Sequence, residues 1–239
     1  MSPLRRILFA SLALAVLSLA AAIPTYAGAV QLLTSAQLTP GGSTTDYPGN
    51  PNTNVPSPLI INVGGNTVTF TVAVGNTIFR ADQGNGFDGN FAPGTELLVT
   101  FTGDGTPGTG PLTINFATGV GEFGIGAQNN AVGTGLFTFS VFNNATLLGT
   151  FTQPGNGFIS FLGARATDGD VITRVTISGS STDTDPNAQN NFAVAPLTFG
   201  AAAPAAIPEP TTMLLLSTGL VGVAAKARKR RQARKSEEV

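Results

Sequence analysis

Apolar and polar residues alternate with period two through most of the middle of the chain. Val68, Phe70 and Val72 alternate with Thr67, Thr69 and Thr71; Leu97, Val99 and Phe101 alternate with Leu98, Thr100 and Thr102. Leu112, Ile114 and Phe116 alternate with Thr113, Asn115 and Ala117, and Phe137, Phe139 and Val141 alternate with Leu136, Thr138, Ser140 and Phe142. Val171, Thr173, Val175 and Ile177 continue the pattern. Such alternation sends successive side chains to opposite faces of a strand. About ten runs of this kind, rich in β-branched and aromatic residues, are separated by Gly, Asn, Asp and Pro, the residues that favour turns. No stretch between 30 and 206 carries a helical period. The pattern predicts an all-β fold, an antiparallel β-sandwich of jelly-roll-like type over residues 30–200. Two segments fall outside it. Residues 38–58 are rich in Pro, Gly, Asn and Thr and read as a loose loop or arm. Residues 201–207 are rich in Ala and Pro and read as a linker.

The pattern changes at both ends. Arg5 and Arg6 precede an uninterrupted apolar run from Ile7 to Ala22, and small residues follow at Ala27, Gly28 and Ala29. This is the order of a secretory signal peptide, residues 1–29, with cleavage after Ala27 or Ala29. Near the other end, Pro208-Glu209-Pro210 precedes an apolar run of about 14 residues, Thr212 to Ala225. Lys226, Arg228, Lys229, Arg230 and Arg231 follow at once, then Arg234 and Lys235. About 20 apolar residues span a bilayer comfortably, so this run suits transient retention as a short transmembrane helix. Snorkelling bases and local thinning tolerate the mismatch. The bases act as a stop-transfer signal and stay cytoplasmic, which leaves the triplet on the outer side. The second proline bars Glu209 from the α conformation, so the triplet is an extended segment that a protease can read. The sandwich is therefore expected between an N-terminal signal helix and a C-terminal short transmembrane helix.

Triplet, apolar run and basic cluster at 208–239 together resemble the PEP-CTERM sorting signal of bacterial exported proteins. That resemblance implies processing by an exosortase, a multipass membrane enzyme acting near Pro208, Glu209 and Pro210. It also implies export by the Sec translocon, cleavage by signal peptidase, and a transient stay in the membrane before delivery to the cell surface or beyond. A second likeness lies in Gly157–Phe161, Ile172–Ile177 and Asn191–Gly200, which is similar to the closing strands of many PEP-CTERM ectodomains. Those strands often carry Asp and Asn where this chain has Ala195 and Pro196, so a polar site built there is absent.

Charge sharpens the picture. The whole chain of 239 residues has a net charge of −1. Removing both signals leaves three arginines, Arg80, Arg165 and Arg174, against ten carboxylates, a net charge of about −7. Such an acidic domain is not a nucleic-acid binder. The chain has no Cys, His or Trp. Disulfides, thiol chemistry and a Ser-His-Asp arrangement are excluded. Every lysine lies in the basic tail, which removes Ser-Lys variants. A carboxylate pair for glycoside hydrolysis would draw on Glu96, Glu122 and the Asp-rich loops, but no tryptophan platform accompanies them.

One spacing points to a metal. Asp183-Thr184-Asp185-Pro186-Asn187 has the D-x-D-x-N order that brings alternate oxygens to one calcium ion, with Asp183 and Asp185 as the candidate ligands. It is no EF-hand, since Ala188 and Val194 stand where that loop needs Gly and Glu. Asp168-Gly169-Asp170 and the stretch from Asp82 to Asp88 are shorter alternatives, and Asn144-Ala145-Thr146 is a glycosylation sequon. Asx turns are the competing reading of the Asp-rich spacings, and one sequon in so Asn- and Thr-rich a chain is near chance. The functional expectation is a non-enzymatic surface protein, a structural component of extracellular matrix or biofilm without a required cofactor. The alternatives are a carbohydrate-binding module for extracellular polysaccharide and, behind it, a secreted glycosidase.

Overall fold

The computed structural model describes residues 28–102, 110–129, 135–155, 157–181 and 192–201. The expected signal helix and transmembrane helix lie outside the described residues. Within them the chain forms β1 (Ala29–Leu32), β2 (Ser43–Thr44), β3 (Thr53–Val55), β4 (Leu59–Val63), β5 (Asn66–Val72), β6 (Asn76–Gln83), β7 (Gly86–Phe87) and β8 (Glu96–Thr102). It continues as β9 (Leu112–Val120), β10 (Glu122–Asn129), β11 (Gly135–Asn143), β12 (Thr146–Pro154), β13 (Ser160–Ala166), β14 (Ile172–Ser181), β15 (Phe192–Val194) and β16 (Thr198–Gly200). A single 3-10 turn, Ser35–Gln37, is the only helical element among the described residues.

The strands make two sheets. The first runs β1-β13-β10-β15-β8-β6-β3, with β16 and β2 continuing beside β10 and β7 beside β6; the second runs β12-β11-β14-β9-β5-β4. All ladders are antiparallel except the two-residue β6–β7 contact. The antiparallel sandwich expected from the alternation is the fold. Its core joins the inner faces: Phe70, Ile114, Phe137, Phe139 and Val175 from the second sheet, and Ile78, Leu98, Phe123, Ile125 and Phe192 from the first. Aromatic rings lock the layers edge to face, Phe123 on Phe139 at 6.0 Å and Phe137 on Phe192 at 5.7 Å, a geometry that the ring quadrupole favours.

The two sheets differ in what covers their outer faces. In β8, Leu98 enters the main core while Leu97 and Val99 point outward into a second cluster with Phe87 and Phe91. The continuous Leu97-Leu98-Val99 run is the mark of a strand buried on both faces. Further along the same sheet, β10 is covered as well. A Cβ on Gly124 would come within 2.4 Å of the Phe161 ring and 2.8 Å of Leu38, so a larger residue would have to push these side chains aside. Nothing among the described residues covers the outer face of the second sheet in this way.

Residues 38–58 are largely irregular but anchored, because long-range polar contacts replace the missing apolar periodicity. Strand β2 pairs with β16, Thr45 exchanges two 2.9 Å hydrogen bonds with Leu197, and β3 pairs with β6. Tyr47 is 1% exposed, packs edge-on against Phe70 and donates its hydroxyl to the Ala195 carbonyl at 2.7 Å. Pro196, which lacks an N–H, falls in the break between β15 and β16, and that break is where Tyr47 docks.

The N-terminal edge refines the expected processing point. Strand β1 begins at Ala29, which pairs with Ala166, and the Gly28 carbonyl accepts a hydrogen bond from Thr167 N at 3.0 Å. Cleavage after Ala29 would remove both. N-terminal sequencing of the exported protein is therefore expected to return Gly28; a start at Val30 would show that the fold tolerates the loss.

Candidate functional site

The predicted site residues divide by location. Pro208, Glu209, Pro210, the bases Lys226, Arg228, Lys229, Arg230 and Arg231, and the calcium candidates Asp183 and Asp185 all lie outside the described residues. Among the described residues, no cluster of His, Cys, Asp and Glu has the makings of a metal site. Asp168-Gly169-Asp170 is a tight turn: Asp168 has φ +56°, Asp170 N donates to Thr167 O, and the Asp170 carboxylate accepts from Asn143 at 3.1 Å.

The two glutamates considered for hydrolysis are held in separate ion pairs. Glu122, 3% exposed, sits opposite Arg165 in the β10–β13 ladder. Its Oε2 accepts Arg165 Nε at 2.7 Å, its Oε1 accepts Thr39 N at 2.6 Å, and Arg165 also reaches the Gln37 carbonyl. Burial by itself would raise this carboxyl. The Thr39 N–H and the Arg165 guanidinium outweigh burial and hold it below the usual range. These partners favour its ionised form. Glu96 joins the cluster around Arg80: Oε1 lies 2.9 Å from the Arg80 guanidinium and Oε2 accepts Tyr47 N at 2.8 Å. Burial and a hydrogen bond to the Asp46 carboxyl push Glu96 up, against Tyr47 N–H and Arg80. Asp82 completes the pairing of Arg80. Burial likewise pushes the Tyr47 phenol up.

These shifts give stability a pH dependence with two signs. Glu122, lowered in the folded state, stabilises the fold above the ordinary glutamate range, about 4, and that contribution is lost as pH falls. Glu96, raised, contributes in the opposite sense and is lost as pH rises through its folded value. Glu122→Gln is expected to cost about 1.5–3 kcal/mol at neutral pH, the worth of a hydrogen bond to a charged group. The gap from wild type should shrink in acid. Urea unfolding at pH 7, 5 and 3.5 checks this, and stability curves that stay parallel would rule it out.

A cleft of about 440 Å³ opens at one end of the sandwich, lined by Gly42, Ser43, Gly65, Asn66, Gly119 and Phe199 among others. Its walls carry no charged residue. Asn66 is buried and its amide is spent on the backbone, donating to Thr118 O at 2.6 Å and accepting from Thr118 N at 3.0 Å. A Cβ on Gly64 would collide with Ser43 Oγ at 1.8 Å, so the glycines here serve close packing of loops. The cleft presents no convergent set of polar groups to a ligand.

The outer face of the second sheet is different. Paired positions form rows across the strands: Thr71–Thr113–Thr176–Ser140–Thr150 is one, and Ile60–Thr69–Asn115–Arg174–Phe142–Leu147 the next. Ser140 and Thr150 are linked by a 2.8 Å hydrogen bond, a cross-strand pair that steadies the ladder. The threonines were visible in the sequence as the polar half of the alternation. Their assembly on one sheet was not, since strand order is set by long-range pairing. Nor did the sequence single out Arg174, whose guanidinium lies 4.1 Å from the centre of the Phe142 ring.

Fold and tail together define a β-sandwich domain followed by an export-sorting segment. Residues 206–231 match the PEP-CTERM protein-sorting motif, a signal that implies export and exosortase processing at the membrane. No curated protein matches the chain at a significant level. Among solved structures, a Clostridium thermocellum endo-1,4-beta-D-xylanase with its CBM22-1 and GH10 modules, complexed with xylohexaose, is 15% identical with a TM-score of 0.35 over 56% of this chain. The enzymatically active domain of a bacteriophage CBA120 tailspike protein is 13% identical with a TM-score of 0.30 over 57% of this chain. The chain spans 26% of the xylanase structure and 19% of the tailspike. A family 29 carbohydrate-binding module complexed with mannohexaose is 12% identical with a TM-score of 0.24, over 74% of this chain and 96% of the module.

Proposed function

We propose that the mature domain is a non-enzymatic structural protein of the cell surface or extracellular matrix. The sorting motif at 206–231 carries this reading. The domain behind it supports the non-enzymatic part: it has no His or Cys, and Glu96 and Glu122 are bound to different arginines. Calcium at Asp183 and Asp185 stays a subsidiary proposal, resting on spacing alone. Deleting the gene in the producing cell is expected to weaken matrix cohesion, and restoring it with Glu96→Gln and Glu122→Gln together should recover cohesion wherever the double variant is present at the surface in normal amount. Cohesion that returns with the wild-type protein but not with a normally abundant double variant would point to catalysis instead. A second reading, carbohydrate binding, is favoured by the open hydroxyl-bearing face of the second sheet, which offers donors and acceptors matched to sugar hydroxyls.

A further inference from the structure

The second sheet is set apart by charge as well as by its uncovered face. Its six strands, β4, β5, β9, β11, β12 and β14, contain no Asp or Glu and one base, Arg174. The described carboxylates belong to the first sheet and to the connecting turns. The nearest in sequence, Asp170, is engaged by Asn143. Of the three described arginines, Arg80 and Arg165 each bind carboxylates. Arg174 has no carboxylate partner among the described residues, and its buried Nε makes no hydrogen bond. A guanidinium can satisfy its five donors only with acceptors supplied from somewhere. Here the guanidinium lies over the Phe142 ring, 4.1 Å from its centre, and its Nε is left without an acceptor among the described residues.

We infer that this face binds an acidic polysaccharide, with Arg174 receiving a uronate carboxylate and the flanking Thr69, Asn115, Thr176 and Ser140 meeting ring hydroxyls. This rests on the carbohydrate-binding reading and names its ligand class. Three observations favour an anionic glycan over a neutral one. Arg174 is already stacked on Phe142, so that ring face is closed to a sugar. The guanidinium fork matches a planar carboxylate in a two-bond geometry that a neutral hydroxyl cannot supply. The absence of acidic residues from all six strands removes the local repulsion that the net-acidic domain would otherwise impose on a polyanion. The neighbouring row Thr71–Thr113–Thr176–Ser140–Thr150 offers a chain several hydroxyls at strand spacing, about 4.8 Å apart.

The test uses the mature protein purified from the producing cell, with polygalacturonate and its carboxyl-reduced form as paired probes in affinity electrophoresis. Wild type is expected to bind polygalacturonate, weakly or not at all the reduced polymer, and less tightly as salt rises. Arg174→Gln should weaken binding by about tenfold or more, the scale of one lost charge-assisted bond. Arg174→Lys, which keeps the charge and loses the fork, should fall between. Melting curves confirm that each variant is folded. Equal binding to both polymers, or no effect of Arg174→Gln, overturns the inference and leaves the carbohydrate-binding reading standing. Binding to neither removes both and leaves the structural reading. A dimer in sedimentation that Arg174→Gln dissolves also overturns the inference, because the occupant is then a second copy of the chain.

Discussion

Arg80→Ala is expected to lower the melting temperature of the domain by roughly 6–12 °C, the equivalent of about 3 kcal/mol for a domain of this size. Arg80 is 3% exposed, in the middle of β6. It binds Glu96 at 2.9 Å, Asp82 at still closer range, the Tyr47 carbonyl at 3.0 Å through Nε, and the Ala81 carbonyl. Removing one member of a buried ionic cluster strands the others, which is costlier than replacing the whole cluster. Asp82 and Glu96 keep some solvent contact, so water relieves part of the loss and the low end of the usual range applies. Arg80→Met fills most of the space without the charge and is expected to lose less than the alanine variant; the difference reports packing. The arm should loosen first, since Tyr47 hangs on Arg80 through its carbonyl and on Glu96 through its N–H. Hydrogen exchange at Thr45 and Tyr47 should therefore accelerate before that of β5 or β14. A melting temperature unchanged by Arg80→Ala would mean that the cluster contributes nothing net.

The same cluster explains where the sequence was legible and where it was not. Alternation in β5, β9 and β11 reported local geometry, because a strand's two faces are written every second residue. It gave the sandwich and its inner-face phenylalanines directly. The arm at 38–58 escaped because its order comes from single long-range bonds, such as the Tyr47 hydroxyl to Ala195 and Thr45 to Leu197, which leave no periodic trace. A lone arginine amid the apolar residues of Ile78-Phe79-Arg80-Ala81 was the available signal: an unpaired charge does not stay buried, so it required carboxylates from elsewhere. Glu122 and Arg165 carried no such clue, being separated by a whole hairpin. The open face of the second sheet was half-legible. Its threonines were in plain view, while the segregation of every described acid to other elements emerges only once strand order is known.

The sorting segment yields the largest functional effect. Changing Glu209→Ala together with Pro210→Ala is expected to abolish processing, so that the full-length chain accumulates in the membrane, heavier than the released product by roughly 30 residues. The physical reason is division of labour along the tail. The apolar run of about 14 residues is shorter than a comfortable span, so it holds the protein long enough for capture without fixing it permanently. On this scheme the bases from Lys226 to Arg231 would hold the end inside, and the prolines on either side of Glu209 would disfavour helix around the triplet. Replacing Arg228, Lys229, Arg230 and Arg231 with neutral residues should give a distinct defect. The tail then slips through, and secreted protein appears with its C-terminal end intact. A plain tail anchor predicts the opposite pattern: wild type stays full-length in the membrane and the triplet is irrelevant. Mass spectrometry of the surface protein separates the two, and a wild-type surface protein still ending in Glu238-Val239 would sink the processing scheme.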